Sequence, residues 1–437
     1  GHLIVLWVFL FCLLFWQVSL LFQLNHVEGV PKNNNIIRTK KEMPKQHFLP
    51  TYSNIHEERV NILLGNDKNE LNLDVEVNSN EIENVDIQYE VNPSVHTFYY
   101  AWYGNPDTNE HWLHWNHKVL PDWHVKEQPP DKFFEPPNDI GANYYPLLGP
   151  YSSADPIIIH EHAKQMAQSG IGNAVLSWYP NDDSDEQLKE VPGYSDSLVR
   201  LILKIFPKYG VKVSIHLEPY DNRCAESVRK DIEYIIDNYT GDGLYLDNSN
   251  RPMIYVYDSY HTPPEDWARL LKEDGDLSIR NSKYDCTVIA LYVEKKDENL
   301  IVNGGFDGFY TYFGAVGFTF GSTLKNWEYL SNFAKVNNKL FIPSVSPGYI
   351  DTRIRPWNSI NARDRENGKY YDKMWEEALK IHPEYISVTS FNEWHEGTQI
   401  EPAIPFQYND YKYTDYSPHS ENYYLERTKH WVNKYSS

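Results

Sequence analysis

A chain of 437 residues with 61 acidic and 40 basic side chains, a formal net charge of -21, offers no basic surface to a phosphate backbone, so nucleic acid is excluded as a partner. Its 41% hydrophobic and 23% charged residues are ordinary for a globular protein, but 34 Tyr and 13 Trp are not. Flat apolar faces with a polar edge suit stacking on sugar rings, although any single one of them is more simply a core residue.

Residues 3–22 carry no charge and are mostly Leu, Phe, Val, Ile and Trp. A helix of about 20 apolar residues spans the hydrocarbon core. A cleaved signal peptide has roughly 7–15 apolar residues and a small-residue cleavage site, and no such site follows here. Residues 1–24 therefore read as an uncleaved transmembrane signal anchor. Lys32, Arg38, Lys40 and Lys41 follow it, and the positive-inside rule would put that side in the cytoplasm. The sequon Asn238-Tyr239-Thr240 points the other way, since Asn238 could be glycosylated only on the luminal or outer side. The chain opens on Gly1 rather than Met, so residues are expected before it and the charge balance alone does not decide orientation. Residues 25–92, rich in Asn, Lys and Glu, read as a flexible stem.

From Val95 onward short apolar runs alternate with amphipathic ones, and the folded domain is expected over 93–437. The strand candidates are 96–103, 173–178, 211–217, 252–257, 287–293, 308–313, 340–345 and 385–391. Helices are expected at 197–209, 225–238, 264–273, 324–336, 371–381 and 422–435. Another opens on Asp155-Pro156, an N-cap with proline at the first helical position, and runs to Ser169. The interval after the fifth strand leaves room for only a brief helix. Eight such units predict an α/β fold, a TIM (β/α)8 barrel, rather than an open doubly wound sheet. No phosphate-binding glycine motif supports the latter. Of three cysteines, Cys12 lies in the apolar N-terminal run, and only Cys224 and Cys286 could pair. No close Cys/His spacing offers a zinc site.

Active sites of such barrels lie at the C-terminal ends of the strands. Those ends are polar and aromatic here: Trp102-Tyr103-Gly104-Asn105, Trp178-Tyr179, His216-Leu217-Glu218-Pro219-Tyr220, Tyr257-Asp258, Glu294, Tyr310-Thr311-Tyr312 and Asn392-Glu393-Trp394-His395-Glu396. Glycoside hydrolysis needs two carboxyl groups. Glu393 and Glu396 follow the eighth strand directly, and on a helical turn residues three apart have Cβ atoms about 5–6 Å apart. That suits the roughly 5–5.5 Å separation of retaining enzymes. Trp394 between them could wall the site and raise one glutamate's pKa by desolvation. The plainer alternative is a pair of solvated loop charges.

With these residues in view, the chain from about Thr97 to Tyr435 closely resembles glycoside hydrolase family 99, the endo-α-1,2-mannosidases. The resemblance is carried by Phe98-Tyr99-Tyr100-Ala101-Trp102-Tyr103-Gly104-Asn105-Pro106, Ser177-Trp178-Tyr179-Pro180 and His216-Leu217-Glu218-Pro219-Tyr220. It continues in Tyr310-Thr311-Tyr312-Phe313, Ile342-Pro343-Ser344-Val345, Pro347-Gly348-Tyr349 and Ser390-Phe391-Asn392-Glu393-Trp394-His395-Glu396-Gly397-Thr398-Gln399. It implies a TIM barrel, retention of configuration, no metal or other cofactor, and a 1,2-anhydro sugar intermediate. Glu393 matches the base that takes the 2-OH proton, and Glu396 the acid on the leaving oxygen. Tyr103, His114, His216, Tyr312 and Arg355 match sugar-binding positions, and Trp178, Glu218, Tyr220 and Trp394 join them as substrate-binding candidates from the matching stretches. Tyr179 stands where, in the resemblance, animal members tend to carry Tyr and bacterial mannan-degrading relatives Trp. Glucosylated high-mannose N-glycans are thus the implied substrate and Glcα1,3-Man the expected product. The anchor and stem are similar to those of animal Golgi members, implying attachment to the Golgi membrane with a luminal catalytic domain. Two rival readings remain at this point. Asp183-Ser184-Asp185 could serve a metal-dependent Golgi glycosyltransferase, and the aromatics alone could serve a non-catalytic glycan receptor.

Overall fold

The computed structural model describes residues 89–437 except 123, 127, 129, 130, 181–193, 240 and 242. The expected anchor, nearly all of the expected stem, Asp183-Ser184-Asp185 and Thr240 of the sequon lie outside the described residues. Among those described, no helix is long and apolar enough to cross a membrane.

Nine parallel strands form one sheet: β1 (Asn92–Tyr99), β2 (Ile171–Trp178), β3 (Lys212–Leu217), β4 (Met253–Val256), β5 (Thr287–Leu291), β6 (Gly308–Tyr310), β7 (Leu340–Ile342), β8 (Ser344–Val345) and β9 (Ile386–Val388). Their order is β7-β6-β5-β4-β3-β2-β1-β9-β8. The two outermost strands are separated only by Pro343, which has no N–H to give the ladder. Residues 340–345, expected as one strand, are therefore split in two, and the sheet curls into a nearly closed TIM-like barrel. Registers such as His96↔Asn173, His216↔Tyr255 and Val388↔Val345 fix which side chains share a level.

Crossover helices follow the strands as parallel pairing requires. They are α1 (Pro156–Gln168), α2 (Tyr194–Ile205), α3 (Ala225–Asn238), α4 (Pro264–Leu271), α5 (Asp297–Gly304), α6 (Trp327–Val336), α7 (Lys369–Lys380) and α8 (Tyr423–Tyr435). Asp155 caps α1 by accepting from Ile157 N–H at 2.9 Å, as its sequence predicts. The brief helix after the fifth strand is α5, stopped by Gly305 at φ 83°. Cys224 and Cys286 are unpaired.

Side chains alternate along β1. Tyr99 turns outward to α1, where its hydroxyl meets His162. His96 and Phe98 turn inward. His96 Nδ1 meets Tyr255 Oη of β4 at 2.6 Å, and the Phe98 ring lies 5.4 Å from that of Tyr310 on β6. Neither pair is on neighbouring strands, so both contacts cross the barrel interior. That interior holds polar side chains that bond one another: Asn173 donates to Ser214 at 2.8 Å, Ser344 and Ser387 share a 2.8 Å bond, and His216 Nε2 meets Tyr310 Oη at 2.7 Å. Burying such groups without partners would cost more than the packing returns.

Sheet closure also depends on backbone approach at Gly308. A Cβ there would stand 2.6 Å from Leu340 Cβ and 2.7 Å from its carbonyl oxygen. Gly308→Ala should destabilise by about 1–3 kcal/mol through overpacking. Chemical denaturation of both proteins measures this, and an unchanged midpoint would mean that β6 and β7 do not meet this closely.

Candidate active site

The C-terminal mouth of the barrel is built from segments that leave β1, β2, β3, β6, β8 and β9. The last, residues 389–401, carries the acidic pair. It is a turn rather than the helical turn the spacing suggested. Gly397 adopts φ 60°, and a Cβ on it would lie 2.6 Å from Ile350 Cγ2 and from Ile350 O. Ile350 N–H donates to Glu396 O at 2.8 Å.

Glu393 is held at the root of this turn. Its N–H donates to Ser390 Oγ at 2.8 Å and its carboxyl accepts from His395 N–H at 3.1 Å. Asn392 ties the turn to β1: its side chain accepts from Tyr100 N–H and donates to Tyr100 O, both at 2.8 Å. Arg365, buried and faced by the rings of Tyr144, Tyr416 and Tyr424, donates to Gly397 O at 3.0 Å and Gln399 O at 2.8 Å.

Glu393 is only 5% exposed. Burial, then the neighbouring charge of Glu396, pushes its carboxyl well above the usual range. Glu396, its side chain 24% exposed, is also raised by burial, to about 7, although Arg355 opposes the rise. Arg355 Nη1 stands 3.8 Å from Glu396 Oε1 and 3.1 Å from Asp351 Oδ2. Two adjacent buried carboxyl groups cannot both be charged cheaply, so the pair retains a proton near neutrality.

Around the pair stand several expected residues. Glu218 accepts from Ser177 Oγ at 2.8 Å and lies 3.2 Å from His216 Nδ1; its charge acts on both glutamates. Tyr312, at φ 52°, hydrogen-bonds Tyr100 hydroxyl to hydroxyl, and both glutamates act on its phenol. His114 stacks on Trp102 at 4.6 Å with 3° between planes. Tyr179 lines a cleft with Ala101, Trp102, Ser177 and Trp178.

Other expected residues direct their polar atoms to packing partners. Trp394 does not wall the cleft: its ring is fully buried behind the turn, and Nε1 donates to Glu401 Oε2 at 2.9 Å. Tyr103, also fully buried, stacks on Trp115 at 4.2 Å, donates to Asn392 O and accepts from Trp394 N–H. The Trp178 indole donates to Tyr239 Oη at 3.0 Å. Tyr220 turns its hydroxyl to Ser227 and Asp231 on α3.

Sequence reasoning gave no role to Tyr100, Trp102, Tyr349, Asp351 or His395. The first three stand in the quoted aromatic runs, a signal that was available. His395 donates through Nδ1 to Gly141 O at 2.8 Å, and burial beside His117 and His114 drives its pKa well down, leaving a neutral ring. Asp351, fully buried, accepts from Tyr349, Arg355 and Asn358, which lie 2, 4 and 7 residues away in the chain.

The barrel thus carries two neighbouring acidic groups, Glu393 buried and Glu396 partly exposed, at the C-terminal end of its last strand, an arrangement suited to glycoside hydrolysis. The model of glycosyl hydrolase family 99 matches residues 90–437. The chain is 49% identical over 353 residues to glycoprotein endo-alpha-1,2-mannosidase of Mus musculus, covering 79% of this chain and 76% of that one. It is 47% identical over 345 residues to the human glycoprotein endo-alpha-1,2-mannosidase-like protein, covering 77% and 75%. The GH99 endo-alpha-mannosidase structure from Bacteroides thetaiotaomicron matches with a TM-score of 0.73 and 42% identity, over 79% of this chain and 98% of that one. The chain belongs to glycoside hydrolase family 99, the endo-α-1,2-mannosidase family, and is a glycoside hydrolase. The transferase and receptor readings give way to it.

The raised carboxyl of Glu396 has a signed consequence for stability. The folded state binds its proton up to about 7, the unfolded chain only to about 4.5. Stability from this group is thus full below pH 4.5 and is lost as pH rises towards 7. Glu396→Gln should gain stability over wild type across that window, with the gap widening as pH rises. Thermal melts from pH 4.5 to 8 measure it, and a gap that narrows with pH would contradict the burial argument.

Proposed function

We propose that this hydrolase is a retaining endo-α-1,2-mannosidase that releases a glucosyl-mannose unit from glucosylated high-mannose N-glycans. The observation carrying the reading is the pair of neighbouring carboxyl groups at the mouth of the barrel, Glu393 buried and Glu396 partly exposed beside Arg355. The relatives named above as endo-alpha-1,2-mannosidases support the linkage.

In an α-mannoside O1 and O2 are both axial and lie on opposite faces, so O2 can reach C1 from behind the leaving oxygen. Glu393 takes the proton of the 2-OH as O2 bonds to C1. Glu396 gives its proton to O1 as the C1–O1 bond breaks. The shortened glycan leaves, and a 1,2-anhydro sugar remains. Glu396 then takes a proton from water, whose oxygen bonds to C1 while the C1–O2 bond opens and Glu393 returns its proton to O2. Two inversions give net retention. The sugar oxygen replaces the carboxylate nucleophile usual in retaining enzymes.

The roles demand a proton shift. In the free protein Glu393 is the more buried, and Arg355 steadies negative charge on Glu396, so the shared proton rests mainly on Glu393. A sugar hydroxyl donating to Glu393 favours its charged form. The proton therefore passes to Glu396 as substrate enters.

His114, His216, Glu218, Tyr312 and Arg355 bind the sugars in this reading, and Tyr179 beside Trp102 selects the glucosylated arm. Tyr103, Trp178, Tyr220 and Trp394 act from behind, holding those surfaces. The reading includes an anchor over residues 1–24, a Golgi membrane location with a luminal catalytic domain, and Asn238 as a glycan acceptor. Asn238 stands at the end of α3, where its Nδ2 donates to Tyr234 O at 3.0 Å.

The test incubates the full chain with Glc1-high-mannose N-glycan and follows products by mass and NMR. Release of Glcα1,3-Man, first in the α configuration, is expected. Glu393→Gln and Glu396→Gln should each lose roughly 10²–10⁴-fold in kcat. A folded wild-type chain that leaves this glycan intact sinks the substrate assignment, and a first product of β configuration sinks the mechanism.

A further inference from the structure

Behind the acidic turn lies a second buried carboxyl group, Glu401, fully excluded from solvent. Among the described residues no lysine or arginine pairs with it. Its oxygens are instead met by three ring-borne donors from three parts of the chain. Tyr151, from the segment after β1, donates to Oε2 at 2.8 Å. The Trp394 indole, from the turn itself, donates to the same oxygen at 2.9 Å. His162 on α1 meets Oε1 through Nε2 at 3.1 Å, and its Nδ1 meets Tyr99 Oη at 3.0 Å. Each contact pairs a donor with an acceptor when the His162 hydrogen sits on Nε2 and the Tyr99 hydroxyl donates to Nδ1.

Trp394 stands between Glu393 and Glu396 in the chain. With its ring fully buried and its N–H fixed, the turn cannot rotate without breaking the bond to Glu401. A second connection runs through Tyr151, whose hydroxyl accepts from Asn392 Nδ2 at 3.2 Å and from Trp394 Nε1 at 3.3 Å. Asn392 is the residue that joins the turn to the backbone of Tyr100. Glu401 thus accepts directly from Trp394 and, through the Tyr151 hydroxyl, is linked to Asn392, the two residues flanking Glu393.

We propose that Glu401 is a positioning residue: through Trp394 and Tyr151 it sets the placement of Glu393 and Glu396, and α1 orients it through His162. It touches no substrate. The proposal rests on Glu393 and Glu396 being the acid–base pair. It requires that its loss act on the chemical step and on the titration of that pair, not on sugar binding.

Glu401→Gln keeps the shape but turns one acceptor into a donor. Facing Tyr151 and Trp394, the amide nitrogen confronts donors; facing His162, it is accepted only if the ring hydrogen moves to Nδ1 and the Tyr99 hydroxyl turns from donor to acceptor. On the full chain and the glycan substrate above, kcat should fall on the order of 10- to 100-fold, the cost of misplacing reacting groups by a fraction of their contact distance. KM should stay within about twofold of wild type, and the pH profile of kcat should shift because the coupled pair is displaced. Adding Trp394→Phe removes the confronting N–H and should restore part of the lost kcat, a non-additivity that direct coupling requires. Tyr99→Phe, a milder change at the far end of the chain of bonds, should lower kcat less and shift the profile the same way. It keeps the test open if Glu401→Gln does not fold.

Glu393→Gln and Glu396→Gln run alongside. If they retain activity, the acid–base reading fails whatever Glu401→Gln does. If they abolish it while folded Glu401→Gln and Tyr99→Phe keep the wild-type kcat and pH profile, the positioning role is overturned. A loss of kcat and melting temperature with an unmoved pH profile and no rescue by Trp394→Phe overturns it as well, since that is how a merely structural residue behaves.

Discussion

Everything at the mouth of this barrel follows from keeping two carboxyl groups out of water beside one another. Such a pair repels itself once both members ionise, and burial removes the solvent that would screen the repulsion. A flexible loop would relieve the strain by turning one glutamate outward. Residues 389–401 are denied that escape by anchors on every side. Asn392 locks the turn to Tyr100, Ile350 holds the Glu396 carbonyl, and Arg365 grips the carbonyls of Gly397 and Gln399. The local instability of the acidic pair and the density of bonds around it are one fact seen from two sides.

The polar barrel interior continues the same logic downward. His216 belongs at once to the interior, through Tyr310 of β6, and to the site, through Glu218. Phe98 fills the space between, touching His216, Tyr310 and Tyr312. The floor of the site is therefore not a loop surface but the top layer of the barrel's own packing. Rigid strands, not flexible connections, set the heights of Glu218 and Tyr312 relative to the acidic pair.

How much of this was legible depended on the range of the interaction. Helix α3 appears over the predicted residues and α1 starts at its predicted cap, because an amphipathic period or an Asp-Pro cap is written within a few residues. The first strand was expected at 96–103 and lies at Asn92–Tyr99. The aromatic run to Tyr103 has strand-like composition, but from Tyr100 the backbone bonds to the Asn392 side chain instead of a neighbouring strand. The span 340–345 broke at Pro343, a proline visible in the sequence but overruled by its apolar neighbours. Glu393 and Glu396 could be picked out by their place after the last strand. Trp394 was read as a cleft wall because the ring's direction depends on Glu401, whose other partners, His162 and Tyr151, lie 239 and 250 residues away in the chain. A lone glutamate in a loop carries no local sign of such partners.

Arg365 and Glu401 both anchor the turn, and among the described residues Arg365 has no carboxylate partner and Glu401 no lysine or arginine partner. Arg365 sets its guanidinium against three tyrosine rings, 4.4 to 4.9 Å from their centroids, and spends its directed bonds on carbonyls. Glu401 takes its bonds from a phenol, an indole and an imidazole. Point charges attract over a broad range of angles, whereas hydrogen bonds from fixed rings weaken steeply once bent. Partners of this kind therefore specify direction as well as distance. A turn that has to hold Glu393 and Glu396 side by side depends on direction most of all, and ring donors and backbone carbonyls supply that direction more narrowly than an ion pair would.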